Sequence, residues 1–178
     1  MRAKVAQGAL LPNTPLSHRE FTCRRPLGGA TMRCMSLAGN TITVIPSVQF
    51  RDANAGIQWL KDVLGFTEHA VYRNAEGIVE HAELLLGNGM LMLGTAGRNK
   101  ETAGWMALPS EIGGKNTGNI YLIVPDCKPV WDRVQAAGAE VLLPLSTMDY
   151  GGAAFTVRDP EGHIWSLGEY DPWAQHSA

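Results

Sequence analysis

The most constraining feature of this chain is a hidden internal repeat. Two segments overlay: Val44–Phe66, VIPSVQFRDANAGIQWLKDVLGF, and Gly118–Val141, GNIYLIVPDCKPVWDRVQAAGAEV. Self-similarity of this kind limits the folds available before any single motif is weighed. Each copy opens on an apolar strand-like stretch and then places an Asp, Asp52 or Asp126, where it can cap a helix. An N-cap carboxylate accepts a hydrogen bond from a free helix N–H and lies at the positive end of the helix dipole. Apolar residues follow at helical spacing: Ile57, Leu60 and Leu64 in the first copy, Val130, Val134 and Ala137 in the second. Pro129 suits a first helical turn, where its missing N–H costs nothing. Gly65 and Gly138 can take the left-handed conformation that ends a helix.

Strand-like stretches follow each helix. In the first copy they lie near 66–73, 78–86 and 90–93, separated by turn signals at 74–77 and by Gly87-Asn88-Gly89. In the second they lie near 140–145, 153–157 and 163–170, separated by Gly151-Gly152 and Asp159-Pro160-Glu161-Gly162. Each copy therefore reads β-α-β-β-β, and the expected class is α+β. The expected organisation is a basic, disordered leader at 1–40, a first module at 41–94, a linker at 95–117, a second module at 118–173 and a tail at 174–178. A connection as long and Gly-rich as 95–117 is expected to act as a lid. Trp105 within it is a candidate to fold over a ligand. Trp59, Trp131 and Trp165 read as packing residues and Trp173 as an anchor for the tail.

Charge separates the leader from the rest. Residues 1–34 hold six of the fifteen Lys/Arg and one of the seventeen Asp/Glu, leaving nine basic and sixteen acidic residues for the remainder, a net of −7. That acidic remainder offers no basic surface for a phosphate backbone, so no nucleic-acid partner is expected. The leader itself reads as a nucleic-acid or membrane arm, a floppy tail, or residues ahead of a true start at Met32 or Met35. No apolar run approaches the roughly 20 residues needed to span a bilayer. Cys23, Cys34 and Cys127 form no metal-type pair, which fits a reduced, cytoplasmic setting. Cys127 reads as a small packing residue.

The ordered motifs carry a family resemblance over about 130 residues. The ending Asp159-Pro160-Glu161-Gly162-His163-Ile164-Trp165-Ser166-Leu167, followed by Glu169-Tyr170, resembles the close of the second module in the vicinal oxygen chelate superfamily, the glyoxalase/bleomycin-resistance/dioxygenase group. Val48 through Asp52 and on to Gly65-Phe66 resembles its opening. His81-Ala82-Glu83-Leu84 with Gly89-Met90-Leu91-Met92-Leu93 resembles strands of its metal-poor branch. The resemblance implies two βαβββ modules forming a half-open, eight-stranded barrel-like sheet with helices outside and a ligand on the concave side. It also implies where a metal would be held: Ile45, Asn119, Ser166 and the Met90–Leu93 strand stand at the ligand positions. These are inert, weak or soft groups unsuited to a hard or borderline divalent ion, so no metal and no cofactor are expected. Glu169 is a near miss for the last position.

Strand alternation names the candidate site residues. His81 and Glu83 share one face of a strand, with Ala82 and Leu84 on the other. They read either as a polar pair in the cavity, the best candidates for proton transfer, or as the solvated face of a half-buried strand. The same alternation leaves Ser47 and Gln49 for the cavity in the first module. In the second it leaves Asn119, Tyr121 and Ile123, with Ser166 on the closing strand. His163 reads as structural and His69 as surface-lying. Three functions remain open on these grounds. The first is a metal-free binder of an aromatic or apolar, possibly cationic compound. The second is a lyase, isomerase or dioxygenase with a divalent metal on noncanonical ligands. The third is an interaction module without a small ligand. A homodimer is the expected assembly, since it would cover open sheet edges.

Overall fold

A computed structural model describes residues 44–98, 100–101 and 104–174. The basic leader and the cysteines at 23 and 34 lie outside the described residues. The duplicated plan is present as two four-stranded mixed sheets. The first module contains β1 (Ser47–Phe50), α1 (Ala53–Trp59) and its π-helical extension (Leu60–Leu64), then β2 (Thr67–Arg73), β3 (Val79–Leu86) and β4 (Gly89–Thr95). The second contains β5 (Ile120–Ile123), α2 (Cys127–Ala136), β6 (Glu140–Thr147), β7 (Ala153–Arg158) and β8 (Ile164–Gly168). Strand order is β1-β4-β3-β2 in one sheet and β5-β8-β7-β6 in the other, with β1/β4 and β5/β8 parallel. The two sheets carry the same order, which is the structural counterpart of the sequence repeat.

The helix starts follow from their caps. Ala55 N–H donates to Asp52 Oδ1 at 3.1 Å, and Lys128 N–H donates to Asp126 Oδ1 at 2.8 Å. Gly65, at φ 89°, turns the chain out of the first helix. That helix is not uniform as the spacing alone suggests: it widens into a π turn over Leu60–Leu64. Val63 is thereby buried beside Leu60 and Leu64. In α2 the expected stripe also shifts: Val130 and Val134 are buried, but Ala137 is exposed past the last turn, and Ala139 packs against the core instead.

One face of each sheet meets the helices in a shared core. Phe50, Ala82, Leu84, Leu91 and Leu93 come from the first sheet, Val124, Phe155, Val157, Trp165 and Leu167 from the second. Fully burying a side chain of this size stabilises by about 1.5–3 kcal/mol. Gly56 lets α1 approach β1, because a Cβ there would sit 2.5 Å from the Phe50 ring. Phe66 meets Trp165 edge-on at 6.2 Å between ring centres, joining the modules. Trp59 and Trp131 pack at the core margin as expected. Trp173 does not anchor the tail: it is 87 % exposed. No helix among the described residues is long and apolar enough to cross a membrane.

The turn before β8 fastens the modules together. Asp159 Oδ1 accepts from Glu161 N–H and His163 N–H at 3.0 and 2.9 Å, and its Oδ2 accepts from Trp165 Nε1–H at 3.0 Å. Burial is the largest influence on this carboxyl and raises its pKa; the adjacent His163 and the three hydrogen bonds oppose that rise. The folded turn then reaches across. Glu161 Oε1 accepts from Arg51 N–H and Asp52 N–H at 2.9 and 3.1 Å, and His163 Nε2 lies 2.8 Å from Gln49 O. His163 is structural, as its place in the motif suggests.

Candidate functional site

The face of each sheet turned away from the helices is open, and register fixes what it carries. In the first module, Ser47 lies beside Met92, which lies beside Glu83, which lies beside Ala70. The neighbouring row begins with Gln49 beside Gly94 and ends with His81 beside Tyr72. Gly94 has no side chain to fill the floor between them, and none would fit, since a Cβ there would sit 2.7 Å from Glu80 O. The result is a cavity of about 740 Å³ lined by Ser47, Gln49, Glu80 and His81, with Arg98 and Met106 contributed by the linker. That size is in the range of small-molecule sites.

A second feature of this face depends on a β-bulge. The β2/β3 register shifts between Glu68 and Ala70, and the intervening His69 is turned toward Glu83. His81 Nε2 stands 3.2 Å from Glu83 Oε1, and His69 Nε2 stands 3.8 Å from Glu83 Oε2. The Tyr72 ring stacks on His81 with centres 6.0 Å apart. His69 is thus exposed, as expected, but it belongs to a His–Glu–His cluster that spacing along the chain does not reveal.

The open face of the second module is built differently. Asn119 Nδ2 donates to Ser166 Oγ at 2.8 Å, and Ser166 Oγ lies 3.1 Å from Thr156 Oγ1. Tyr121 lies across Gly168, and its hydroxyl donates to Tyr170 O at 3.1 Å. Burial, with smaller contributions from Tyr150 and Cys127, raises the Tyr121 pKa against the opposing hydrogen bond. Asn119 also lines a smaller cavity of about 300 Å³ between β1 and β5, together with Ser47, Gln49, Met106 and His163. Tyr121, Ser166 and Glu83 line neither cavity.

The linker falls into two parts. From Leu108 to Thr117 it is fastened down. Leu108 is buried, Arg51 Nη2 donates to Ser110 Oγ, Asn116 Nδ2 donates to Gly162 O, and Arg158 donates to Gly114 O. Met106, at the head of this part, lines both cavities and a third, of about 250 Å³, beside Arg51. Trp105 lines none of the three and is 80 % exposed. The linker side chain common to all three cavities is its sequence neighbour, Met106. Trp105, the sequence's candidate to fold over a ligand, stands in solvent instead.

The donor set does not fit the metal that the family resemblance implies. Ile45 is a hydrocarbon, and Leu91 and Leu93 are buried in the core while Met90 and Met92 offer only thioethers. Asn119 and Ser166 hydrogen-bond to each other. Glu169 is committed elsewhere: Oε1 accepts from Cys127 N–H at 2.9 Å and Oε2 from Ala153 N–H at 3.0 Å. Among the described residues no group of three or more His, Cys, Asp or Glu is arranged to hold a metal ion. Cys127 is buried, donates through its sulfur to Ala153 O, and has its pKa pushed up to about 11 by burial and by the nearby Glu169 and Asp126. It is a packing thiol rather than a nucleophile.

Comparison with known proteins agrees with this geometry. A family model described as Glyoxalase/Bleomycin resistance protein/Dioxygenase superfamily matches residues 42–167. The uncharacterized protein Rv0887c of Mycobacterium tuberculosis is 28 % identical over 124 residues, covering 70 % of this chain and 72 % of that protein. Among solved structures, TioX from Micromonospora sp. ML1 is 28 % identical with a TM-score of 0.56, covering 70 % of this chain and 93 % of that one. A glyoxalase-related enzyme from Fulvimarina pelagi shares the fold at 20 % identity and a TM-score of 0.54, covering 71 % of this chain and 86 % of that one.

Proposed function

Because the chain belongs to the glyoxalase/bleomycin resistance protein/dioxygenase superfamily, we propose that it uses that scaffold to bind a small aromatic or apolar cation, without a metal, against the open face of its first module. The observation that carries this reading is the cavity of about 740 Å³ floored by Ser47, Gln49 and His81 and bordered by Met106. Hydrocarbon and thioether surface supplies contact area there, and a few polar groups supply orientation. The net −7 of the chain beyond residue 34 favours a cationic ligand. The replaced metal positions favour binding over metal-assisted catalysis. Fold membership alone does not decide between them.

The test has two parts. Protein purified without chelator or affinity metal is expected to carry no stoichiometric Zn, Ni, Mn or Fe. Finding one would overturn the metal-free reading in favour of a lyase, isomerase or dioxygenase with noncanonical ligands. Titration with flat cationic aromatics is expected to quench tryptophan fluorescence. A flat response across a broad panel would favour an interaction module instead.

The second module's open face supports a homodimer. Tyr121 and Ile123 on β5 are each 42 % exposed and Leu143 on β6 is 61 % exposed, at opposite edges of one face. Exposed apolar side chains at both edge strands of a sheet favour a covering partner, and a second copy is the simplest. Light scattering that returned a monomer mass across the accessible concentration range would overturn this assembly. A cytoplasmic location fits a buried, unpaired Cys127.

A further inference from the structure

We propose that the ligand face of the first module is gated by protons: it holds a cationic ligand at neutral and alkaline pH and releases it on acidification, through His69 and His81 on either side of Glu83. The inference rests on the proposed binding of a cation and adds its regulation.

The geometry is specific. One carboxylate faces two imidazoles through its two oxygens, at 3.2 Å to His81 and 3.8 Å to His69. Glu83 is the most enclosed of the three, with its side chain 23 % exposed against 41 % for His81 and 54 % for His69. Both rings are therefore open to solvent, while the carboxylate lies between them. With neutral rings the cluster carries one negative charge; with both rings protonated it carries one positive charge. Imidazoles make this change between about pH 5 and 8, where other unperturbed side chains do not.

The surroundings leave the sign of the face to this cluster. On the open face, β1 contributes the uncharged Ser47 and Gln49, and β4 contributes Met92 and Gly94. From β2 the neighbouring titratable group is Tyr72, stacked on His81. The cavity that His81 lines has four other charged residues: Glu80 from β3 and Arg98, Lys100 and Glu101 from the linker. Those two acids and two bases cancel in net charge. Glu68, next to the bulge, is paired with Lys61 at 2.7 Å. A change of two units at the cluster is therefore a change of two units for the whole face.

The test uses the full chain and ethidium, a flat aromatic cation whose charge is fixed over this range, with circular dichroism confirming the fold at each pH. Wild-type protein is expected to bind about tenfold or more weakly at about pH 5 than at about pH 8. The double variant His69→Asn, His81→Asn is expected to lose most of that difference. Ring-proton NMR of the wild type provides a second readout: bound ethidium should delay protonation of both rings to lower pH, by reciprocal linkage. Equal binding at both pH values, or an undiminished difference in the double variant, would overturn the gate while leaving the binding reading intact. Absence of binding at about pH 8 by ethidium and by every other flat cation of the panel would overturn both.

Discussion

The two modules share a strand order and a helix-capping plan, yet their open faces have opposite chemistry. In the second module the polar groups satisfy one another: Asn119, Ser166 and Thr156 form a hydrogen-bonded row, and the Tyr121 hydroxyl is bound to Tyr170 O. In the first module, among the described residues, the Ser47 hydroxyl and the Gln49 amide make no side-chain hydrogen bond, and both border the cavity of about 740 Å³. A closed network supports structure; polar groups left facing a cavity are available to a ligand. Two sheets of one strand order thus differ in that the second holds its open-face polar groups within itself.

The comparison can be broken from either side. The largest effect is expected at the turn that ties the modules. Asp159→Ala removes the acceptor for two backbone N–H groups and for the buried Trp165 Nε1–H. Destabilisation of about 3 kcal/mol or more is expected by chemical denaturation. The pH dependence at this position has a definite sign. Because the folded-state pKa of Asp159 is raised, its protonated form favours folding. Its contribution is fully present below the unfolded carboxyl pKa of about 3.9 and is lost as pH rises through the higher folded value. The stability difference between wild type and Asp159→Asn should change across that window and level off above it.

Gly56→Ala comes next. Its Cβ meets the Phe50 ring, so overpacking of about 1–3 kcal/mol is expected, read as a fall in the denaturation midpoint. The sharpest contrast is a pair of smaller changes. Ser166→Ala should cost about 1 kcal/mol of stability and leave ligand affinity unchanged. Gln49→Ala should do the reverse, weakening binding about tenfold with stability within about 0.5 kcal/mol of wild type. Loss of affinity in the Ser166 variant would mean that the second module also contacts the ligand. Smallest of all, Trp105→Ala should change stability by less than about 0.5 kcal/mol, because its side chain is exposed.

What sequence made legible and what it hid divide along physical lines. Caps, strand alternation and turn glycines act locally, so Asp52, Asp126, Gly65 and the buried pair Ala82/Leu84 could be read directly. In the structure the alternation places Ser47, Gln49 and His81 on one open face. Hidden were features that depend on register or on distant chain. The bulge at His69 shifts pairing by one residue and so changes which neighbours meet. Glu161 bridging to Arg51 and Asp52, and Glu169 bonding Cys127 and Ala153, are contacts between remote segments without a local signature. That Met106 rather than Trp105 lines the cavities depends on how the linker packs on both sheets, which has no local signature.

The central claim is that ligand binding belongs to the open face of the first module and not to that of the second. Backbone amide NMR during an ethidium titration at about pH 8 tests it most directly. The account predicts shift changes concentrated at Ser47, Gln49, His81 and Met106. Changes confined to Tyr121, Thr156 and Ser166 would contradict it.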